Sequence, residues 1–372
     1  MRRSVPGTEL AVLAVVTILY AMLLTIEQPD FPIYLYPWLE HIEARGVIGA
    51  FSEPFSNYTP PYLYLLAAAS LLPLSMVVTI KLLAIACLTF LAYAAHRLMK
   101  AVGATEPTAA LLFVLALPTV IMNGPLLGQC DSLWVGACLM ALAAMVERSV
   151  IRMALWAGVA FAFKAQAAFF APIALGLVIK HRAWPALLIP PAVYLAAVTP
   201  AWAAGWPLHD LLTVYLKQAE LVFQGNAPNL WAIPVQAGLR GFDLAAMIAA
   251  GVAAAALVAM ATRARLSAHA LLLAALVSAL VLPFLLPRMH ERFFFLADLL
   301  ALCLAYWRRD RTSIALCALT QAGSALSIIA YLGLLPWLNA AASLFMAAAI
   351  VLAIRTLAIS LRPPHNHSPA AG

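Results

Sequence analysis

Four short polar stations interrupt the apolar runs of this 372-residue sequence, with residue types suited to proton transfer and anion binding. Asp30 lies in Asp30-Phe-Pro-Ile-Tyr34, ahead of Pro37-Trp38 and Asn57-Tyr58-Thr-Pro60-Pro61-Tyr62. A carboxylate held at a membrane face can take a proton from a hydroxyl, although an ordinary solvated loop acid would look the same. Gly128-Gln129-Cys130-Asp131-Ser132 opens an apolar run, where Asp131 and Ser132 have the form of helix N-caps. Gln129 exceeds what a cap needs and suits contact with a substrate. Phe163-Lys164-Ala-Gln166 sits midway along the apolar run from Met153 to Ile179. Lys164 either snorkels to the surface or offers a cation to a phosphate, and Gln166 beside it favours a polar cavity. Arg288-Met-His290-Glu291-Arg292 packs four ionisable groups into five residues. Arginine presents forked donors to phosphate oxygens and His290 can move a proton near neutral pH, unless the Arg and Glu side chains only neutralise each other.

The elements that must position these stations are membrane helices. Of the residues, 65% are hydrophobic and 10% charged, against roughly 25% charged in a soluble chain, so the polar atoms needed to cover a water-facing surface are missing. The apolar residues form continuous runs, which excludes the alternation of a membrane β-barrel. The expected fold is therefore an all-α polytopic membrane protein, a single transmembrane domain over residues 1–372 with about twelve spans. These are placed near 9–26, 76–98, 107–122, 131–147, 151–163, 165–180, 183–203, 243–262, 268–287, 293–307, 313–333 and 337–357. The first is read as a retained span, since no small-residue cleavage site follows it. Residues 61–72 are apolar but too short to cross, and are expected to lie on or dip into the outer leaflet. Two long outer loops, 27–60 and 204–242, and a cytoplasmic tail, 358–372, complete the path.

The net charge of +7 reads as topology. Arg2/Arg3, Arg97/Lys100, Arg148/Arg152, Lys180/Arg182, Arg263/Arg265, Arg308/Arg309/Arg311 and Arg355/Arg362 can all lie on the cytoplasmic side, which places the four stations outside. No basic stripe or motif points to nucleic acid. The five cysteines contain no CxxC pair, so neither a disulfide framework nor a zinc site is indicated.

In order and spacing these stations resemble the GT-C superfamily of polytopic glycosyltransferases, which use polyprenyl-phosphate-linked sugars. Within it they look most like bacterial mannosyltransferases related to the second mannosyltransferase of GPI-anchor synthesis. Met289-His290-Glu291-Arg292-Phe293 is also similar to the His-Glu-basic box of the glucosyltransferases of N-glycan assembly. The resemblance covers residues 1 to about 310. It implies a GT-C-like bundle with a long first extracytoplasmic loop, and transfer of a hexose, mannose or glucose, with inversion. The partners implied are the polyprenyl-phosphate sugar, a glycan, glycolipid or protein acceptor, and the bilayer itself. Asp30 would be the catalytic base; Arg288, His290, Arg292 and Lys164 would hold the donor phosphate; Gln129, Asp131, Gln166, Asn57, Tyr58 and Glu291 would contact substrate. No metal or cofactor besides the lipid-linked donor is implied. Many members carry a second acidic residue beside the first. Here Phe31 follows Asp30, leaving Glu27, Glu40 and Glu43 as candidates. The abundance of Arg and Ala fits a GC-rich bacterial genome, and with the resemblance the expected location is a bacterial cytoplasmic membrane, with the site facing outward. A transporter or flippase of lipid-linked sugars competes, with the acids as proton relays. Polar groups gathered at span ends, not at the midplane, favour the enzyme.

Overall fold

A computed structural model describes residues 6–221, 227–239, 241–333, 335 and 337–362. Among these there are helices and no strands. The chain runs through α1 (Pro6–Leu23), α2 (Tyr36–Arg45), α3 (Pro60–Ala69), α4 (Met76–Ala101), α5 (Ala110–Leu115) and α6 (Pro118–Ile121). It continues through α7 (Asp131–Val146), α8 (Val150–Phe163), α9 (Ala171–Lys180), α10 (Ile189–Ala204), α11 (Leu208–Leu221) and α12 (Ala232–Gln236). It closes with α13 (Asp243–Arg263), α14 (Ala268–Leu285), α15 (Phe295–Arg308), α16 (Arg311–Leu332) and α17 (Trp337–Ser360). The expected cluster Arg2/Arg3 and the tail beyond residue 362 lie outside the described residues.

Six helices among the described residues, α4, α10 with its lead-in turn, α13, α14, α16 and α17, are long and apolar enough to cross a membrane. They are compatible with a multi-pass integral membrane protein. Aliphatic side chains cover their outward faces, as at Leu244, Ile248 and Val252 on α13 and Leu344 and Val351 on α17, all exposed. Patches of this kind are rare on soluble monomers.

The centre of the bundle is α7, buried from Asp131 to Met145 and packed against α4, α8, α14 and α15. A helix apolar all round is one enclosed by neighbours. Its sequence therefore reads like a span although it is only 16 residues long. Helices here approach closely where residues are small: a Cβ on Gly176 of α9 would lie 2.5 Å from Ala261 Cβ and 2.8 Å from the Val258 carbonyl of α13.

Several expected elements take a different form. The span at 107–122 is broken into α5, α6 and a π-turn over Met122–Leu126. Pro118 holds Leu117 extended, as a proline does to the residue before it. The span at 165–180 begins as a 3₁₀ turn, Ala165–Phe169, before α9. The loop at 27–60 holds a π-turn over Phe31–Leu35 as well as α2, and the loop at 204–242 holds α11 and α12. Residues 61–72 form most of α3, whose Tyr62, Leu63 and Leu66 are buried against the bundle. With α10 and Trp206, the π-turn over Phe31–Leu35, α2, α3 and α11 form a second, aromatic-rich core beside the main one.

The bundle has two chemically distinct ends. Arg97 near the end of α4 reaches Glu147 at 3.3 Å, and Glu147 reaches Arg152 of α8 at 2.8 Å. These pairs lie at the α7–α8 turn. The other ends of α7 and α8 carry Asp131 and Lys164.

Candidate active site

At that opposite end, residues up to 301 positions apart in the chain converge on one carboxylate. Asp30 follows α1 and is 9% exposed. Its Oδ2 accepts from Gln129 Nε2 at 2.9 Å and from Arg292 Nη1 at 3.2 Å, while Oδ1 accepts from the Tyr331 hydroxyl at 2.8 Å. A carboxylate offers about four lone-pair positions. Among the described residues three are taken, and the fourth is on Oδ1.

Asp131 is the second centre. Oδ1 accepts from Trp134 Nε1 at 2.9 Å and Lys164 Nζ at 2.5 Å, and Oδ2 accepts from Asn123 Nδ2 at 3.1 Å. Arg292 Nε stands 3.7 Å from the same Oδ2. The N-cap expectation for Asp131 is therefore wrong: Cys130 holds the cap position without a side-chain bond, and the Asp131 carboxylate is turned into the network. Nor does Lys164 snorkel. The chain is extended at Lys164 between α8 and the 3₁₀ turn, which delivers the ammonium to Asp131 and sets it 4.7 Å from the Tyr58 ring centroid.

Arg292 joins the centres. Its Nη1 also donates to Glu291 Oε1 at 2.8 Å, so the adjacent pair does neutralise itself, but inside the cluster. Burial alone would push the Glu291 carboxyl up; the charge of Arg292 beside it, with a smaller contribution from the neighbouring His290 ring, holds it down at about 2. Among the described residues the network thus sets two cations, Lys164 and Arg292, against three carboxylates. Lys164 is paired to Asp131 and Arg292 to Asp30 and Glu291, which leaves the Arg292 Nε as a buried N–H without a hydrogen-bond partner among the described residues.

The four residues expected to hold a donor phosphate are therefore not brought together. Lys164 and Arg292 are enclosed in the network, whereas Arg288 and His290 line a separate cavity of about 540 Å³ with Gln166, Tyr215 and Phe293. Arg288 there pairs with Asp243 at 3.1 Å, and the Gln166 Oε1 is buried without a hydrogen-bond partner. His290 Nδ1 lies 3.8 Å from Glu291 Oε2, which connects cavity and network.

The expected substrate contacts also divide. Gln129 is a bridge, giving its N–H to Asp30 and accepting from Tyr58 at 3.2 Å through Oε1. Asp131 and Glu291 are committed to cations, Gln166 faces the Arg288 cavity, and Asn57 lines a third pocket. Glu27, Glu40 and Glu43 are exposed and outside the network. The acids accompanying Asp30 are Asp131 and Glu291.

Reading the sequence missed Tyr331, Asn123 and Lys81. Lys81 is wholly buried in α4; its Nζ donates to the carbonyls of Pro125, at 2.7 Å, and Leu126, and lies 5.2 Å from the Phe31 ring centroid. It pins the π-turn ahead of Gln129. Its signal was present: an ionisable residue within an apolar span marks an interior contact.

The approach of this turn to Phe31 requires glycine. Gly128 has φ +67°, and a Cβ there would lie 2.9 Å from Phe31 Cζ and 3.1 Å from Ile80 Cγ2. Gly103, at φ +73°, has nothing within 4 Å, so Gly103→Ala measures backbone strain alone, about 1–2 kcal/mol. Gly128→Ala should lower the thermal midpoint distinctly further, read by tryptophan fluorescence. Equal shifts would show that Phe31 yields freely.

No protein-family model matches the chain, and a search of curated proteins finds no match.

Proposed function

We propose that this protein is a multi-pass membrane glycosyltransferase. It moves a hexose, mannose in preference to glucose, from a polyprenyl-phosphate donor to an acceptor hydroxyl with inversion. The observation that carries the reading is Asp30, a buried carboxylate fixed by three donors with one lone pair of Oδ1 left for a hydroxyl proton. As the acceptor oxygen bonds to the anomeric carbon, its proton passes to Asp30. The bond from that carbon to the phosphate oxygen breaks, and the electron pair leaves with the phosphate.

The leaving phosphate is assigned to the cavity of Arg288, His290 and Gln166. There the guanidinium fork and the imidazole meet growing negative charge, and Arg288 exchanges Asp243 for it. Arg292 acts on Asp30, holding its orientation. The pairing of Arg97, Glu147 and Arg152 at the far end supports an orientation in which that end is cytoplasmic. The chain then takes a twelve-helix, GT-C-like path across a bacterial cytoplasmic membrane, with Asp30 at the outer face.

A transporter of lipid-linked sugars has one observation in its favour. Asp298 of α15 is buried, accepts from Ser324 Oγ at 3.0 Å and, among the described residues, forms no ion pair, as suits a proton relay. The readings part in one experiment. Purified protein in nanodiscs, given labelled polyprenyl-phosphate-mannose or -glucose and a crude glycan acceptor fraction, is expected to form labelled glycan resolved by thin-layer chromatography. Unconsumed donors, with label moved across the bilayer of proteoliposomes, would replace the transferase with the transporter.

A further inference from the structure

The two long outer segments, 27–60 and 204–242, meet at a pocket of about 350 Å³ that lies apart from both Asp30 and the Arg288 cavity. Its walls include Tyr34, Trp38 and Phe55 from the first segment and Trp206 from the second, with Asn57, Asp210 and Lys217 among its polar groups. We infer that this pocket holds a pyranose ring of the acceptor, so that the acceptor is a saccharide and not a bare protein or lipid hydroxyl; this rests on the transferase reading above.

Two polar atoms carry the argument. Trp206 is 1% exposed, and its indole N–H and the Asn57 Oδ1 are buried without a hydrogen-bond partner. Buried polar groups are almost always paired, so two unpaired ones, in residues that border the same pocket, point to a ligand with both donors and acceptors once those side chains turn to meet it. Sugar hydroxyls are both. Asp210 and Lys217 are bonded to each other at 2.5 Å, which leaves the pocket close to neutral and suits an uncharged ligand over a phosphate. Ring geometry narrows the class further. Phe55 and Trp206 are tilted by 45° at 5.5 Å, and Tyr34 and Trp38 by 47° at 6.2 Å. Such tilted faces cup a puckered ring, whereas a flat base wants a parallel slot.

The position fits delivery to Asp30. Trp38 lies 4.9 Å from the Tyr58 ring, the Tyr58 hydroxyl bonds Gln129, and Gln129 bonds Asp30. A sugar against Trp38 is thus three contacts from the base.

The test uses the full chain in nanodiscs without donor. Saturation-transfer NMR is run with methyl α-mannopyranoside, methyl β-glucopyranoside and, as a flat control, adenosine. Saturation of glycoside protons is expected, with little on adenosine. Trp206→Phe, which keeps a ring and removes the N–H, and Asn57→Ala, which removes the unpaired Oδ1, should each weaken glycoside binding about fivefold, the worth of one hydrogen bond. No glycoside saturation, or equal saturation in wild type and both variants, would overturn the proposal, as would adenosine binding as strongly as the sugars. Because no turnover is read, the two readings fail separately. Glycoside binding by a protein that never transfers sugar sinks the transferase and leaves the pocket. Transfer with acceptor KM unmoved in both variants sinks the pocket alone.

Discussion

Arg292→Ala is expected to cause the largest loss of stability of any substitution in the buried network. The guanidinium donates to Asp30 at 3.2 Å and Glu291 at 2.8 Å and stands 3.7 Å from Asp131. Removing it leaves three buried carboxylates with Lys164 as the remaining cation of the network, paired at 2.5 Å to Asp131. Uncompensated buried charge of this kind costs about 3–5 kcal/mol, so in a chain of this length the melting midpoint should drop by about five degrees, or the protein should not be recovered. Arg292→Lys restores charge but not the planar group whose Nη1 serves Asp30 and Glu291 while its Nε faces Asp131, and should fall between. The sign of pH follows from Glu291: its carboxyl is held at about 2 in the fold against about 4.3 unfolded. Its share of stability is therefore present above pH 4.3 and lost as pH falls toward 2. Wild-type melting in an Arg292→Ala protein would mean that the carboxylates share protons and need no counter-charge.

Most helix positions were legible because they depend on local pattern. Starts such as Met76, Asp131, Asp243 and Ala268 follow from where the apolar runs begin. Breaks were less so. Pro118 interrupts a run that hydropathy alone treats as continuous, and the π-turn that follows, with Pro125 inside it, brings Gln129 to Asp30. What was legible of the candidate site is which polar residues gather: Asp30, Gln129, Asp131, Lys164, Glu291 and Arg292 do meet. Their pairing was not, because it is set by tertiary register between helices. Lys164 and Arg292 looked like cations awaiting a phosphate, since a sequence displays a charge and not the carboxylate that satisfies it. Tyr331 lies 301 residues from Asp30 in a helix with no other mark of function. A tyrosine at a span end has an ordinary role as an interfacial anchor, which hid it. Asn57 was singled out as a substrate contact, but the pocket it lines needs Trp206 and Asp210 from a segment whose content reads only as a long loop.

Asp30→Asn is expected to leave a folded protein without transfer. The amide is isosteric, and the network can accommodate it. Its oxygen, in the place of Oδ2, still accepts from Gln129 and Arg292, while its NH₂ takes the place of Oδ1 and donates to the Tyr331 hydroxyl, which can rotate to accept. The loss of one negative charge brings the network from two cations against three carboxylates to two against two, so no cation is orphaned. Stability should therefore change far less than in Arg292→Ala. Transfer should not survive, because an amide NH₂ has no lone pair for the acceptor proton, and losing a positioned base costs about 10²–10⁴-fold in rate. Tyr331→Phe separates orientation from basicity. It removes one donor from Oδ1 and leaves the carboxylate, so it should lower the rate modestly and shift its pH profile, whereas Asp30→Asn flattens the rate at every pH. The measurement is initial transfer from labelled polyprenyl-phosphate-mannose across pH, with melting recorded on the same samples. Turnover near wild type in a folded Asp30→Asn protein would remove Asp30 as the base, and with it the reading that the vacant lone pair of Oδ1 is where the acceptor proton goes.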